Sequence, residues 1–89
     1  MKRTSFLVSG ETDEAERIVS TYLPSFSKDL VEIEQIDSSL TGTACKVYVK
    51  YDDTDVSLMR ELETCFMHIL MLDDYIDAWN MIHEYSENI

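Results

Sequence analysis

The chain has 89 residues, 45% hydrophobic and 28% charged, which makes one globular domain near the lower size limit for a core without staples and excludes wholesale disorder. Eighteen acidic against seven basic side chains give a net charge of −11, of which residues 1–50 supply −2 and residues 51–89 supply −9. Such a surface repels nucleic acid and anionic lipid and attracts basic protein surfaces, which sets aside direct DNA or RNA binding.

Cys45 and Cys65 stand alone, without metal-ligand spacing. The start MKRTSFLVSG is basic, but its apolar run is only three residues, so no signal peptide is predicted. No run of about 18 apolar residues is present to span a bilayer. A cytoplasmic protein with reduced thiols and no membrane partner is expected.

In chain order, residues 4–9 (TSFLVS) form a β-prone run ended by Gly10, with Phe6 and Val8 on one face and Leu7 on the other. Residues 11–26 read as helix. Glu11, Asp13, Glu14 and Glu16 crowd its first turns, where carboxylates favour the positive end of the dipole. Ala15, Ile18, Val19, Tyr22 and Leu23 form its apolar stripe, and Pro24 ends or kinks it by removing a donor. Residues 30–36 (LVEIEQI) alternate in part, Val31 and Ile33 against Glu32 and Glu34. After turn-forming residues 37–42, residues 44–51 alternate cleanly, with Cys45, Val47, Val49 and Tyr51 inward and Lys46, Tyr48 and Lys50 outward. Two such runs around a glycine-containing turn predict a hairpin, with Glu32 and Glu34 facing Lys46 and Lys50 across it.

Asp52, Asp53, Thr54 and Asp55 supply helix-start chemistry for the closing segment. There Leu58, Leu62, Cys65, Ile69, Leu72, Ile76 and Trp79 recur at alternate spacings of four and three, a helical seam over three heptads. Trp79, on that seam, is expected to anchor the core or an interface. One helix over 54–89 would run ~54 Å at 1.5 Å per residue, whereas a folded chain of this length is about 30 Å across. The segment therefore breaks, and Asp73-Asp74 is the best place, because Asp74 followed by Asp77 resembles a fresh N-cap with an acid in its first turn. Two helices, 55–71 and 74–87, are predicted. An alternative makes HILML (68–72) a final strand, but the periodicity favours helix. The order β-α-β-β-α(-α) predicts a small single α+β domain over 1–89. Its arrangement is a truncated ferredoxin-like split βαβ, with the first two strands parallel, the third antiparallel between them, and the three-stranded sheet backed by helices.

Little in the chain is arranged for catalysis. Ser9-Gly10 sits between a strand and a helix, but the acids that follow are the wrong electrostatics for a phosphate. Asp52, Asp53 and Asp55 lack the glycine of a calcium loop and read as a capping turn. Cys65 and His68, three apart, with His83 further along, make no zinc motif, and an acidic surround blunts a thiol as nucleophile. No catalytic residue, metal or cofactor is predicted, and the chain is read as a non-enzyme.

What remains is the acidic row. Asp73, Asp77, Asn80, Glu84 and Glu87 advance by four, three, four and three along one helix face, and Arg60 is the only basic side chain after Lys50. A face built for solubility mixes Glu with Lys, whereas this one tolerates self-repulsion. Carboxylates ~6 Å apart repeat on the scale of nucleic-acid phosphates. Asp73, Asp74, Asp77, Glu84 and Glu87 are therefore candidate partner-binding residues. Methionines and aromatics widen the apolar arc beyond what one sheet face can cover, which makes Phe66, Met67, Met71, Tyr75 and Met81 candidates for an apolar interface with a target or a second copy. In size and charge the chain resembles small acidic DNA mimics, among them phage-encoded anti-restriction and anti-CRISPR inhibitors. That resemblance, one of composition, implies binding to a basic nucleic-acid-handling protein or complex. The expected function is that of a non-catalytic inhibitor or regulator. The alternative is a homodimeric α+β interaction module with its interface on the C-terminal helices and its charge serving solubility.

Overall fold

The central strand of the sheet is the segment whose alternation is cleanest. The computed structural model describes residues 1–38 and 42–89. In it β1 (Lys2–Ser9) and β2 (Val31–Ser38) flank β3 (Gly42–Tyr51), and β3 is antiparallel to both. A two-residue strand, β4 (Glu87–Asn88), pairs antiparallel with Lys2 and Arg3, so the sheet order is β2-β3-β1-β4. Three helices, α1 (Thr12–Tyr22), α2 (Val56–Leu70) and α3 (Tyr75–Glu84), cover one face. The expectation of a three-stranded, truncated ferredoxin-like sheet is corrected in its strand count: the α+β fold has four antiparallel strands. Residues 39–41 of the expected hairpin turn lie outside the described residues.

Inward-facing Phe6 and Val8 of β1 and Cys45, Val47, Val49 and Tyr51 of β3 are buried against Ala15 and Ile18 of α1, Met59, Leu62, Cys65 and Phe66 of α2, and Ala78 and Ile82 of α3. Phe6 and Phe66 meet edge to face at 5.6 Å, the arrangement that ring quadrupoles favour. α1 is shorter than expected. It stops at Tyr22 ahead of Pro24, and Leu23 and Phe26 then turn into the core as non-helical residues. In the hairpin Glu34 does lie opposite Lys46, but Glu32 lies opposite Tyr48, because the two glutamates are two positions apart and the two lysines four; Lys50 lies opposite Arg3 of β1.

α2 and α3 are separate helices, as the capping chemistry of Asp74 predicts. Met71 adopts a left-handed conformation (φ 54°), and Leu72 N–H reaches back to the Met67 carbonyl at 3.0 Å, which closes α2. Asp74 then caps α3, its carboxylate accepting from Asp77 N–H at 2.9 Å. The longest dimension of the molecule is 39 Å, too short for one helix over the whole segment. This break corrects the seam. Heptad spacing carries Leu58, Leu62, Cys65 and Ile69 onto the core, but it presupposes an uninterrupted helix. Beyond the break the phase restarts, so that Ala78 and Ile82 face inward while Ile76 is 71% and Trp79 38% exposed. Trp79 is therefore no core residue. The last helix is also shorter than the expected 74–87: Ser86 N–H and its hydroxyl both bond the His83 carbonyl, and Arg3 holds Glu87 on β4 (Nε to Oε1 2.7 Å).

A buried polar contact helps to fasten α3 to the sheet. Thr4, 1% exposed, donates its hydroxyl to the Ile82 carbonyl at 2.9 Å. That carbonyl lies in the last turn of α3, where no intrahelical N–H remains to satisfy it. Thr4→Val keeps the shape and deletes the donor. It is expected to lower unfolding stability by about 1–3 kcal/mol, the usual penalty for a buried group left unsatisfied. A wild-type urea midpoint in that variant would show that the contact contributes nothing.

Candidate functional site: the outer face of α2 and α3

The helical restart at Asp74 decides what α3 shows to solvent. With Ala78 and Ile82 inward, Asp77, Asn80 and Glu84 all point outward on one face, and Asp73 extends the row into the preceding turn; all four are exposed. Asp73, Asp77 and Glu84 form no ion pair among the described residues. Asp74 is also exposed, but its carboxylate is engaged as the α3 cap. Glu87 leaves the row altogether, since it lies on β4 and is paired with Arg3. The row expected from the sequence is thus reduced to Asp73, Asp77, Asn80 and Glu84.

Beside the row runs a groove of about 460 Å³ between the two helices, with Val56, Met59, Arg60 and Glu63 of α2 on one wall and Tyr75, Ile76 and Trp79 of α3 on the other. Ile76 sits between groove and row. Val56 at 73% and Tyr75 at 44% exposure add to an apolar rim with no cover. Arg60 lies over the Tyr75 ring, 4.8 Å from its centre. Glu63 is different from every acid in the row: its side chain is only 10% exposed, and its bond to Arg60 Nη1 is long at 3.4 Å. Burial pushes its pKa above the ordinary carboxylate value, an effect that Arg60 only partly offsets.

Of the apolar interface candidates, Met71 (88% exposed) and Tyr75 are at the surface, Met67 and Met81 are half-buried against the core, and Phe66 is wholly inside it. Sequence spacing did not single out Val56, Glu63 or the exposed side of Trp79. The signal was present: counting the helical phase afresh from Asp74 puts Ala78 and Ile82 on one side and Ile76 and Trp79 on another.

The other chemical groups have structural employment. Asp52 accepts from the N–H and hydroxyl of Thr54 at 2.9 and 2.7 Å, bonds that hold its pKa down. Asp53 pairs with Lys2 at 3.2 Å, and Asp55 caps α2 through Leu58 N–H. Among the described residues no three His, Cys, Asp or Glu side chains converge as a metal site requires. Cys65 is fully buried, and desolvation, reinforced by Glu61, pushes its thiol up to about 12. The exposed His68 stacks on Tyr22 at 4.9 Å rather than serving Cys65 as a base. A concavity of about 610 Å³ lies between α1 and β2 and contains none of the candidate residues. No helix among the described residues is long and apolar enough to cross a membrane. The chain matches no protein-family model, no curated protein and no solved structure.

Behind Trp79 lies His83. Its Nδ1 is 3.3 Å from the Tyr51 hydroxyl, its ring meets Trp79 edge-on at 4.1 Å, and its Nε2 is buried with no partner among the described residues. Desolvation, then Lys2, holds its pKa below the ordinary 6.5, against a smaller opposing effect of Asp53. Between that lowered value and 6.5 the unfolded chain binds more protons than the folded one, so stability rises with pH there. The His83 contribution is complete above about pH 6.5 and is lost as pH falls toward the folded-state value. Denaturation of wild type and His83→Gln at about pH 7.5 and about pH 5.5 isolates it from Glu63, whose raised pKa acts with the opposite sign. The wild type is expected to lose more stability than the variant on acidification, and equal losses would refute this role.

Proposed function

We propose that the chain is a non-catalytic protein-binding module that docks on a basic, nucleic-acid-handling protein and inhibits or regulates it by occupying its nucleic-acid surface. The observation that carries this reading is the juxtaposition on α3 of an unpaired acidic row with an exposed apolar rim. Carboxylates one helical turn apart match a basic channel in sign and spacing, and they steer association. Ile76, Trp79 and Val56 supply what a charged row lacks, apolar area that gains free energy only on contact. The partner is then a basic surface with an apolar depression beside its cationic groups. The truncated ferredoxin-like reading of the fold belongs to the same proposal: the sheet is the platform, and the helices are the working face.

The same apolar rim favours a second reading, a homodimer through α2 and α3. A two-fold axis on this face sets one acidic row near the other, and like charges across an interface oppose it. Light scattering at high protein concentration decides between the two: a monomer removes the dimer, whereas a dimer that buries Trp79 removes the first reading.

The acidic row has a direct test in Asp73→Lys, Asp77→Lys and Glu84→Lys together, which move the net charge from −11 to −5. All three side chains are exposed, so the variant is expected to fold as wild type or slightly better, since self-repulsion falls. Its affinity for a basic partner captured by the wild type is expected to drop by several orders of magnitude at low salt, and duplex DNA should displace the wild type from that partner. Calorimetry at two ionic strengths, with circular dichroism for the fold, reads the result. Wild-type affinity in the triple variant would end this proposal.

A further inference from the structure

We infer that the α2–α3 groove is a receptor for an arginine side chain of the partner protein, with Glu63 as its counter-ion and Arg60 as the intramolecular occupant that it displaces. The inference rests on the reading of this face as protein-binding and supplies the chemistry of its centre. The Glu63 side chain, 10% exposed in a groove wall, has one long contact, 3.4 Å, from a side chain that is itself 63% exposed. Its second oxygen accepts no hydrogen bond among the described residues. A guanidinium entering from outside presents two parallel N–H donors to both oxygens, and it does so where the existing contact is weakest.

The walls choose the cation. Tyr75 and Trp79 offer aromatic faces and edges to a planar group, and Arg60 already occupies the Tyr75 face at 4.8 Å, which shows that a guanidinium fits there. Val56 and Ile76 give the aliphatic stem an apolar lining. An ammonium is more strongly hydrated and cannot bridge both oxygens, so lysine is the poorer occupant. Anions are excluded by Glu63 and by Asp53 at the same groove. Arg60, as the only basic residue beyond Lys50, is the placeholder: it keeps the carboxylate from standing alone in the free protein and swings out when a better-placed guanidinium arrives.

Trp79 is the single tryptophan and therefore an intrinsic reporter of the groove. The test titrates the intact protein with a short peptide carrying one central arginine between apolar residues, and with the same peptide carrying lysine or the uncharged isostere citrulline. The arginine peptide is expected to change Trp79 fluorescence saturably and to bind about tenfold or more tighter than the citrulline peptide, with lysine between them. Arg60→Gln should tighten binding several-fold, and Glu63→Gln, checked for fold by its melting curve, should abolish the preference for arginine. Free arginine amide separates a bare cation site from a peptide-docking site: it should bind more weakly than the peptide, and equal affinity would overturn docking by a protein segment. Equal binding of arginine and citrulline peptides in the wild type overturns the inference without any variant. So do wild-type binding in Glu63→Gln and weaker binding in Arg60→Gln. None of these results touches the acidic row, whose own test is the triple reversal; that variant should still report the arginine peptide through Trp79.

Discussion

Everything on the working face depends on the four-residue reversal between α2 and α3. Met71 takes the left-handed conformation that most side chains avoid, and Asp74 at once restarts a helix by capping it. Without that reversal the segment would continue as one rod, with Trp79 and Ile76 in phase with Leu62 and Cys65 and no groove at all. With it, α3 folds back along α2, Ala78 and Ile82 take the inward positions, and the large apolar side chains are left outside. The small Ala78 is wholly buried, while the bulkier Ile76 and Trp79 stand at the rim. A loop of this kind is a structural device with a functional consequence: it exchanges a better-filled core for an exposed apolar edge.

Charge is distributed in the same spirit. The few cations mostly serve the frame. Lys2 holds Asp53 and Arg3 holds Glu87, so the start of β1 is tied to the start of α2 and to β4. Arg17 holds Glu14 within α1. Such exposed pairs contribute little to stability singly, but the Arg3 pair helps to fix where β4 lies. On the open face of the sheet Arg3 and Lys46 lie over the ring of Tyr48, at 4.9 and 5.2 Å. The open sheet face balances Arg3, Lys46 and Lys50 against Glu32, Glu34 and Glu87, whereas the row on α3 has carboxylates with no ion-pair partner among the described residues. A basic partner approaching from afar is oriented toward the helices before contact.

Much of the fold was legible because it is written in local chemistry. The alternation of residues 44–51 gives β3, the acids after Gly10 and the proline at 24 bracket α1, and the Asp74-to-Asp77 spacing marks the break. What escaped has no local signature. Two residues cannot display an alternation, so β4 is visible only through its partner across the sheet, Arg3, 84 positions away in sequence. Phe26 and Leu23 enter the core from a non-helical turn, where periodicity carries no information. The site suffered most. Its acidic row was legible as composition and spacing, but Glu63 looks like any solvent-facing glutamate until the fold brings Tyr75 and Trp79 into one groove with it.

That glutamate is also where stability and function part. A leucine of similar length at position 63 would extend the apolar contact between α2 and α3 and remove a desolvated charge, and replacing half-satisfied buried ions by apolar groups is commonly neutral or stabilising. A small domain with few apolar contacts to spare gains nothing from a carboxylate held by one long bond. Buried polar groups that do not stabilise the fold concentrate where a protein meets something else, since only a partner can complete their hydrogen bonding. The exposed rim of Val56, Ile76 and Trp79 is the matching deficit in apolar contact. Both deficits lie in one groove, on the helix pair that also carries the unpaired acidic row, and one basic, partly apolar surface would remove all three at once.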